Sequence, residues 1–277
     1  MGSVVTTQSF LEAKQNRRKI TMLTAYDCAM ARILDGSGID AVLVGDSLGM
    51  VVQGYGSTLE VTMDDMAYHC ACVARGLRNA LLVCDLPFLS CHVGAEEAVR
   101  NAGRLVQQGK AAAVKLEGGK GMADIVKAIV HAQIPVMGHI GLMPQSVRLT
   151  GGYKVQGKDA AKAKSLLEDA LALEEAGVFS IVLEAVPEEL AKIITEKMSV
   201  PTIGIGAGRY CDGQVLVVND LLGMYDAFVP RFVKQYAHLS SLIADAVSAY
   251  ARDVREGRFP EQKHTFSADE AFLGKLY

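Results

Sequence analysis

Three acids each close a short apolar run: Val44-Gly45-Asp46-Ser47, Cys84-Asp85-Leu86-Pro87 and Lys115-Leu116-Glu117-Gly118-Gly119. Two further runs close on Gly138-His139 and Leu183-Glu184. If such ends share one rim, Asp46, Asp85 and Glu117 repel one another unless a cation intervenes. They offer hard oxygens without an accompanying thiolate or histidine cluster, and hard oxygens with room for water suit Mg²⁺. The plainer alternative is that each acid caps a helix or pairs with a base; its recurrence at three strand ends favours the metal. Lys115 and Glu117 are two apart, so on a strand both side chains point to one face. Lys115 is either a Schiff-base nucleophile or an ammonium that binds a substrate carboxylate or carbonyl, and Glu117 close by favours the ammonium. His139 reads equally as a satisfied buried histidine and as a catalytic one.

Chemistry at strand ends requires strands that converge. Short apolar runs at 20–24, 41–45, 81–85, 112–116, 134–138, 180–183, 201–205 and 214–218 alternate with helical patterns. About eight such runs is the number that a closed parallel barrel needs, and its strand ends meet on the rim that carries the active site. The expected fold is therefore α/β, a (β/α)8 TIM barrel. It forms a single domain over 1–277, with a short N-terminal segment and a C-terminal helix plus tail. An open doubly wound sheet is the competing architecture; the strand count and the spread of polar strand ends favour the barrel. Helices are expected from the capping-box-like start at Thr62 to about Arg78, from Ala95 to Gln108, and from Asp159 to Ala176. A further helix has Pro187 as its first residue. Leu239, Leu242, Ile243, Ala246, Val247 and Tyr250 recur at helical spacing and read as a face packed onto the barrel. The glycine-rich Ile203–Gly208 segment is either a phosphate cradle or a tight turn, and 151–157 is a candidate lid or oligomer contact.

Composition narrows the partners. Half of the 277 residues are apolar and tryptophan is absent, which suits strands buried on both faces. The net charge of −3, without a basic stripe, argues against nucleic acid. No apolar run reaches the length of a membrane span, so no membrane partner is expected either. The start lacks a signal-peptide core, and its match to a loose myristoylation pattern reads as chance. Cys28, Cys70, Cys72, Cys84, Cys91 and Cys211 form no Cys-x-x-Cys pair and read as reduced thiols of a cytoplasmic protein.

Taken in order, these motifs resemble the ketopantoate hydroxymethyltransferase family. The resemblance rests on Val44 through Met50, Asp85-Leu86-Pro87-Phe88, Lys115 through Gly119, Gly138-His139-Ile140-Gly141, Gly151 through Gly157 and Ile203 through Gly208. It spans nearly the whole chain. Two departures bear on pocket shape: Leu142-Met143-Pro144 where Leu-Thr-Pro is usual, and Gly54-Tyr55-Gly56 where Gly-His is frequent. The resemblance implies hydroxymethyl transfer from 5,10-methylenetetrahydrofolate to 3-methyl-2-oxobutanoate through a Mg²⁺-stabilised enolate, giving 2-dehydropantoate for pantothenate and coenzyme A synthesis. It implies Asp46 and Asp85 as metal ligands, Glu117 as a third metal-associated acid and Glu184 as the base. Asp46, Ser47, Asp85, Lys115 and His139 form the candidate substrate-binding set. The implied partners are a small 2-oxo acid, folate and further copies of the chain, with decamers among family members. The alternatives are a Mg²⁺-dependent C–C lyase of the phosphoenolpyruvate-mutase and isocitrate-lyase type, and a non-catalytic ligand-binding barrel.

Overall fold

A computed structural model describes residues 4–150, 152, 154–225 and 229–268. Eight parallel strands close on themselves in chain order. They are β1 Ile20–Thr24, β2 Ala41–Val44, β3 Leu81–Asp85, β4 Ala113–Glu117, β5 Val136–Gly141, β6 Ser180–Glu184, β7 Thr202–Ile205 and β8 Gly213–Leu216. Closure is made by β1 against β8, with Ile20 level with Gly213. Gly213 permits that approach, because a Cβ there would lie 2.6 Å from the Ile20 carbonyl oxygen.

The barrel interior is layered by the two-residue period of its strands. Ile20, Met22, Ala41, Leu43, Leu81, Val83, Ala113, Met137, Val182 and Ile203 pack in one apolar cluster. One period beyond the last apolar member, each of four strands changes character. Val83 is followed at that spacing by Asp85, Ala113 by Lys115 and then Glu117, Met137 by His139, and Val182 by Glu184. The apolar layers thus form the floor on which the polar layers rest. Register sets the heights, with Asp85 level with Lys115, Glu117 level with His139 and Gly141 level with Glu184.

Several boundaries differ from the sequence-based expectation, each for a local reason. The N-terminal segment contains a helix, Thr7–Gln15, started by a Thr6–Ser9 capping box. Its Phe10 meets Phe179 edge-to-face at 5.6 Å under the barrel floor. Lys14 donates to Asp212 at 2.7 Å and to the Thr195 carbonyl at 2.9 Å, tying this helix to the β7–β8 side. The helix after Thr62 ends at Ala74 rather than near Arg78. Gly76 lies so close to the neighbouring helix that a Cβ would sit 2.6 Å from the Cys28 carbonyl oxygen, so the chain turns away there. Asp159 and Pro187 are caps rather than first residues of the helices Ala160–Glu175 and Glu188–Lys197. Strand β5 runs three residues further than expected, to Gly141, which places His139 inside the ladder. Gly141 then turns out of the strand with φ of +97°, and a Cβ there would be 2.3 Å from the Glu184 carbonyl oxygen.

The chain divides into two compact units, the first reaching Asn219 and including Pro230–Val233, the second holding Asp220–Val229 and everything from Lys234. In the second, the helix Leu239–Arg255 has no buried residue. Within this unit Leu242, Ile243, Val247 and Tyr250 are all exposed. All six cysteines are free thiols. Among the described residues no helix is long and apolar enough to cross a membrane. Gly151, Tyr153 and the tail beyond Ala268 lie outside the described residues.

Candidate active site

The polar layers converge at the C-terminal ends of β2 to β6. Asp46, Asp85, Lys115, Glu117 and His139 are each 4% exposed or less, so their charges depend on one another rather than on water. Lys115 Nζ lies 2.7 Å from Asp85 Oδ1. The Asp46 backbone N–H donates to Asp85 Oδ2 at 3.1 Å. Gly45 permits this contact, since a Cβ there would meet Ser47 Oγ at 2.9 Å and Asp85 Oδ2 at 3.5 Å. Lys115 Nζ also lies 3.3 Å from His139 Nδ1. An ammonium can only donate, so Nδ1 accepts and the proton of a neutral imidazole sits on Nε2. Nε2 lies 3.3 Å from Glu184 Oε2. That contact is poorly aligned and falls short of a full hydrogen bond, as Nε2 otherwise has no partner. Ser47 begins the short helix Leu48–Val51, and its hydroxyl lies 2.9 Å from the Tyr26 hydroxyl.

These positions fix protonation. Burial, reinforced by Asp85, pushes Asp46 up to about 7. Burial and the neighbouring Asp46 push Glu117 well above the carboxylate range. Burial opposes the Lys115 ammonium, but Asp85, Glu117 and Asp46 together outweigh it and raise its pKa. Lys115 is therefore a held cation. A Schiff-base nucleophile must first become a neutral amine, so this cluster opposes that reading. Burial and Lys115 lower the His139 pKa, which keeps the imidazole neutral.

The strand-end residues expected from sequence are brought together: Asp46, Ser47, Asp85, Lys115, Glu117, His139 and Glu184 share one end of the barrel. Two residues of this constellation were not expected. Tyr26 follows the end of β1, where the strand-end pattern used for the acids already pointed. Gln145 carries no such signal. It sits in the turn after β5, is 6% exposed, and its Nε2 donates to Asp46 Oδ2 at 2.7 Å. Its backbone N–H donates to Glu117 Oε2 at 3.1 Å.

Among the described residues, no three His, Cys, Asp or Glu side chains form a ready-made metal cage. Mg²⁺ asks for less, since it is held by one or two carboxylates and keeps waters or substrate oxygens as its other ligands. Asp46 and Asp85 fit that need. Burial first, and Asp85 beside it second, disfavour the charged form of Asp46, and a cation held by the two acids would offset both effects. Glu117 already accepts from Gln145 and faces His139 Nδ1 at 3.6 Å, which suits contact through water. A cavity of about 1110 Å³ lined by Glu12, Arg18, Arg32 and Arg75 opens at the other end of the barrel and contains none of these residues.

A family model described as ketopantoate hydroxymethyltransferase matches residues 4–262. A 3-methyl-2-oxobutanoate hydroxymethyltransferase from Clostridium beijerinckii is 58% identical over 98% of this chain and 99% of its own length. One of the same name from Syntrophomonas wolfei is 57% identical over 99% of both chains. Among solved structures, a 2,3-dimethylmalate lyase of the PEP mutase/isocitrate lyase superfamily aligns with TM-score 0.61, covering 95% of this chain and 93% of its own, at 16% identity. A phosphonopyruvate hydrolase complex with oxalate and Mg²⁺ aligns with TM-score 0.61 over 94% of this chain and 93% of its own, at 12% identity. These two likenesses concern the fold alone.

Proposed function

Because the chain belongs to the ketopantoate hydroxymethyltransferase family, we propose that its buried rim cluster binds a 2-oxo acid at Mg²⁺ and that Glu184 removes the proton beside the ketone. The activity is hydroxymethyl transfer to 3-methyl-2-oxobutanoate, a step of pantothenate biosynthesis. The donor we assign is 5,10-methylenetetrahydrofolate. The observation that carries the reading is the separation of roles around His139. A held cation and two buried carboxylates lie on one side, and the more accessible Glu184 lies on the other.

Asp46 and Asp85 would hold the metal, with Glu117 reached through water. When bound, Mg²⁺ supplies a Lewis acid for charge that develops on the ketone oxygen. Lys115 and the Ser47 hydroxyl bind the substrate carboxylate. The ammonium directs one hydrogen at Asp85 and one at His139 Nδ1, and keeps its third for the substrate. Glu184 accepts the C3 proton. One water cleaves the two C–N bonds of the folate's methylene, freeing tetrahydrofolate and leaving that carbon at the formaldehyde level. The electron pair left on C3 bonds to this carbon, whose oxygen takes up a proton to become the hydroxyl of 2-dehydropantoate. His139, neutral with its proton on Nε2, lies 3.3 Å from the Glu184 carboxylate and would complete a hydrogen bond to it on a small realignment. Burial of the rim keeps bulk water away and these interactions strong.

The deciding assay measures 2-dehydropantoate formed from 3-methyl-2-oxobutanoate with and without the folate donor. Product is expected only with the donor. Turnover that ignores folate would return the chain to the lyase-type alternative. We also assign a cytoplasmic location and an assembly larger than a dimer. The exposed Leu242, Ile243, Val247 and Tyr250 present an apolar stripe that further copies would shield from water. Sedimentation at micromolar concentration should show the larger species, and a monomer alone would refute it.

A further inference from the structure

We infer that Gln145 is the positioning residue that sets the metal affinity of this site. The inference rests on the assignment of Asp46 and Asp85 as the residues that hold Mg²⁺. Gln145 touches the ends of three strands. Its side-chain amide donates to Asp46 Oδ2, just beyond β2, at 2.7 Å and to the Leu86 carbonyl, just beyond β3, at 3.0 Å. Its backbone N–H donates to Glu117 Oε2, at the end of β4, at 3.1 Å.

The orientation of the amide is not free. Nε2 faces a carboxylate and a carbonyl, both acceptors, and a flip would set Oε1 against both. Nε2 spends its two hydrogens there, while Oε1 is buried with no hydrogen-bond partner. Burying an unsatisfied acceptor works against folding. A residue retained only for packing would avoid it, since methionine fills nearly the same volume without a polar atom. What the amide gains is control of Asp46. With one Asp46 oxygen held, the carboxylate is turned and kept in place, and the other oxygen is the one presented to a metal. The main-chain bond to Glu117 orients the third acid from the same short turn, Pro144–Ser146. Hydrogen bonds to ligating groups of this kind commonly change metal affinity by about 10–100-fold.

The test is Mg²⁺ titration calorimetry on the full-length protein after chelation, comparing the natural chain with Gln145→Met, Gln145→Asn and Asp85→Asn. Gln145→Met keeps the volume and the backbone bond to Glu117 but loses both side-chain donors. Gln145→Asn keeps the amide but shortens its reach. Both are expected to weaken Mg²⁺ binding by about 10–100-fold, with the far-ultraviolet circular dichroism unchanged. C3 proton exchange should return toward the normal rate when Mg²⁺ is raised to saturation. A packing role alone would lower the melting temperature and leave the affinity intact. Unchanged affinity in either folded variant overturns the proposal, and failure of both to fold assigns Gln145 to barrel stability and overturns it equally. Asp85→Asn separates the two levels of inference. Normal Mg²⁺ binding in that variant overturns the metal assignment itself, whereas its loss alongside normal binding in Gln145→Met overturns only the role given to Gln145.

Discussion

Glu184→Gln is expected to slow exchange of the C3 proton of 3-methyl-2-oxobutanoate with deuterated water by about 10²–10⁴-fold, the usual cost of losing a general base. Mg²⁺ binding should be nearly unchanged. Glu184 ends β6 and lies 3.3 Å from His139 Nε2, whereas the Asp46–Asp85–Lys115 contacts are made without it. The substitution keeps the side-chain volume. Its amide oxygen can still accept from Nε2–H, so the histidine is not deprived of its neighbour. Deuterium incorporation by NMR, beside calorimetric metal affinity, tests the expectation. Near-normal exchange would remove Glu184 as the base. Loss of metal from the same variant would instead make Glu184 a ligand.

Asp85→Asn should behave differently, with metal affinity and proton exchange falling together. Asp85 is the residue in which three interactions meet: the Lys115 ammonium at 2.7 Å, the Asp46 N–H at 3.1 Å and the proposed metal. Both members of the Asp85–Lys115 pair are at least nine-tenths buried. Removing one partner of such a pair typically costs about 3–5 kcal/mol. Part of that is offset here, because Asp85 also raises the Asp46 pKa and its neutralisation relieves Asp46. Melting in the presence of EDTA therefore reads the structural loss, and Mg²⁺ titration reads the chemical one. In the natural protein EDTA should abolish turnover and Mg²⁺ restore it, while in Asp85→Asn added Mg²⁺ should fail to restore it. Full activity of the natural protein after rigorous chelation would remove the metal from the mechanism.

The barrel was legible because strands buried on both faces leave short apolar runs, and each run here is bounded by a glycine, a proline or a charge. The acids were legible for a related reason. A charged residue one period beyond a buried apolar one, as Asp85 follows Val83, has to face the same interior. Gln145 was hidden because its partners are remote in sequence and its own surroundings, Pro144 and Ser146, read as an ordinary turn. The Thr7–Gln15 helix was hidden because only Phe10 and Ala13 are buried, too few for a stripe. For the stripe at Leu242, Ile243, Val247 and Tyr250, periodicity reports an apolar face without saying what covers it.

The layered interior ties the site to the folding of the whole barrel. Asp85, Lys115, Glu117, His139 and Glu184 are strand residues, so their spacing is inherited from the ladder rather than from any loop. A slip of β4 by one residue would turn Val114 and Leu116 inward and send both Lys115 and Glu117 outside. No partly formed version of the site survives such a slip. The proposed ligands come together only once β2, β3 and β4 have paired in register. Metal uptake would then gauge the register of these strands, and a chain caught in a compact but wrongly registered state would carry its full secondary structure yet ignore the ion.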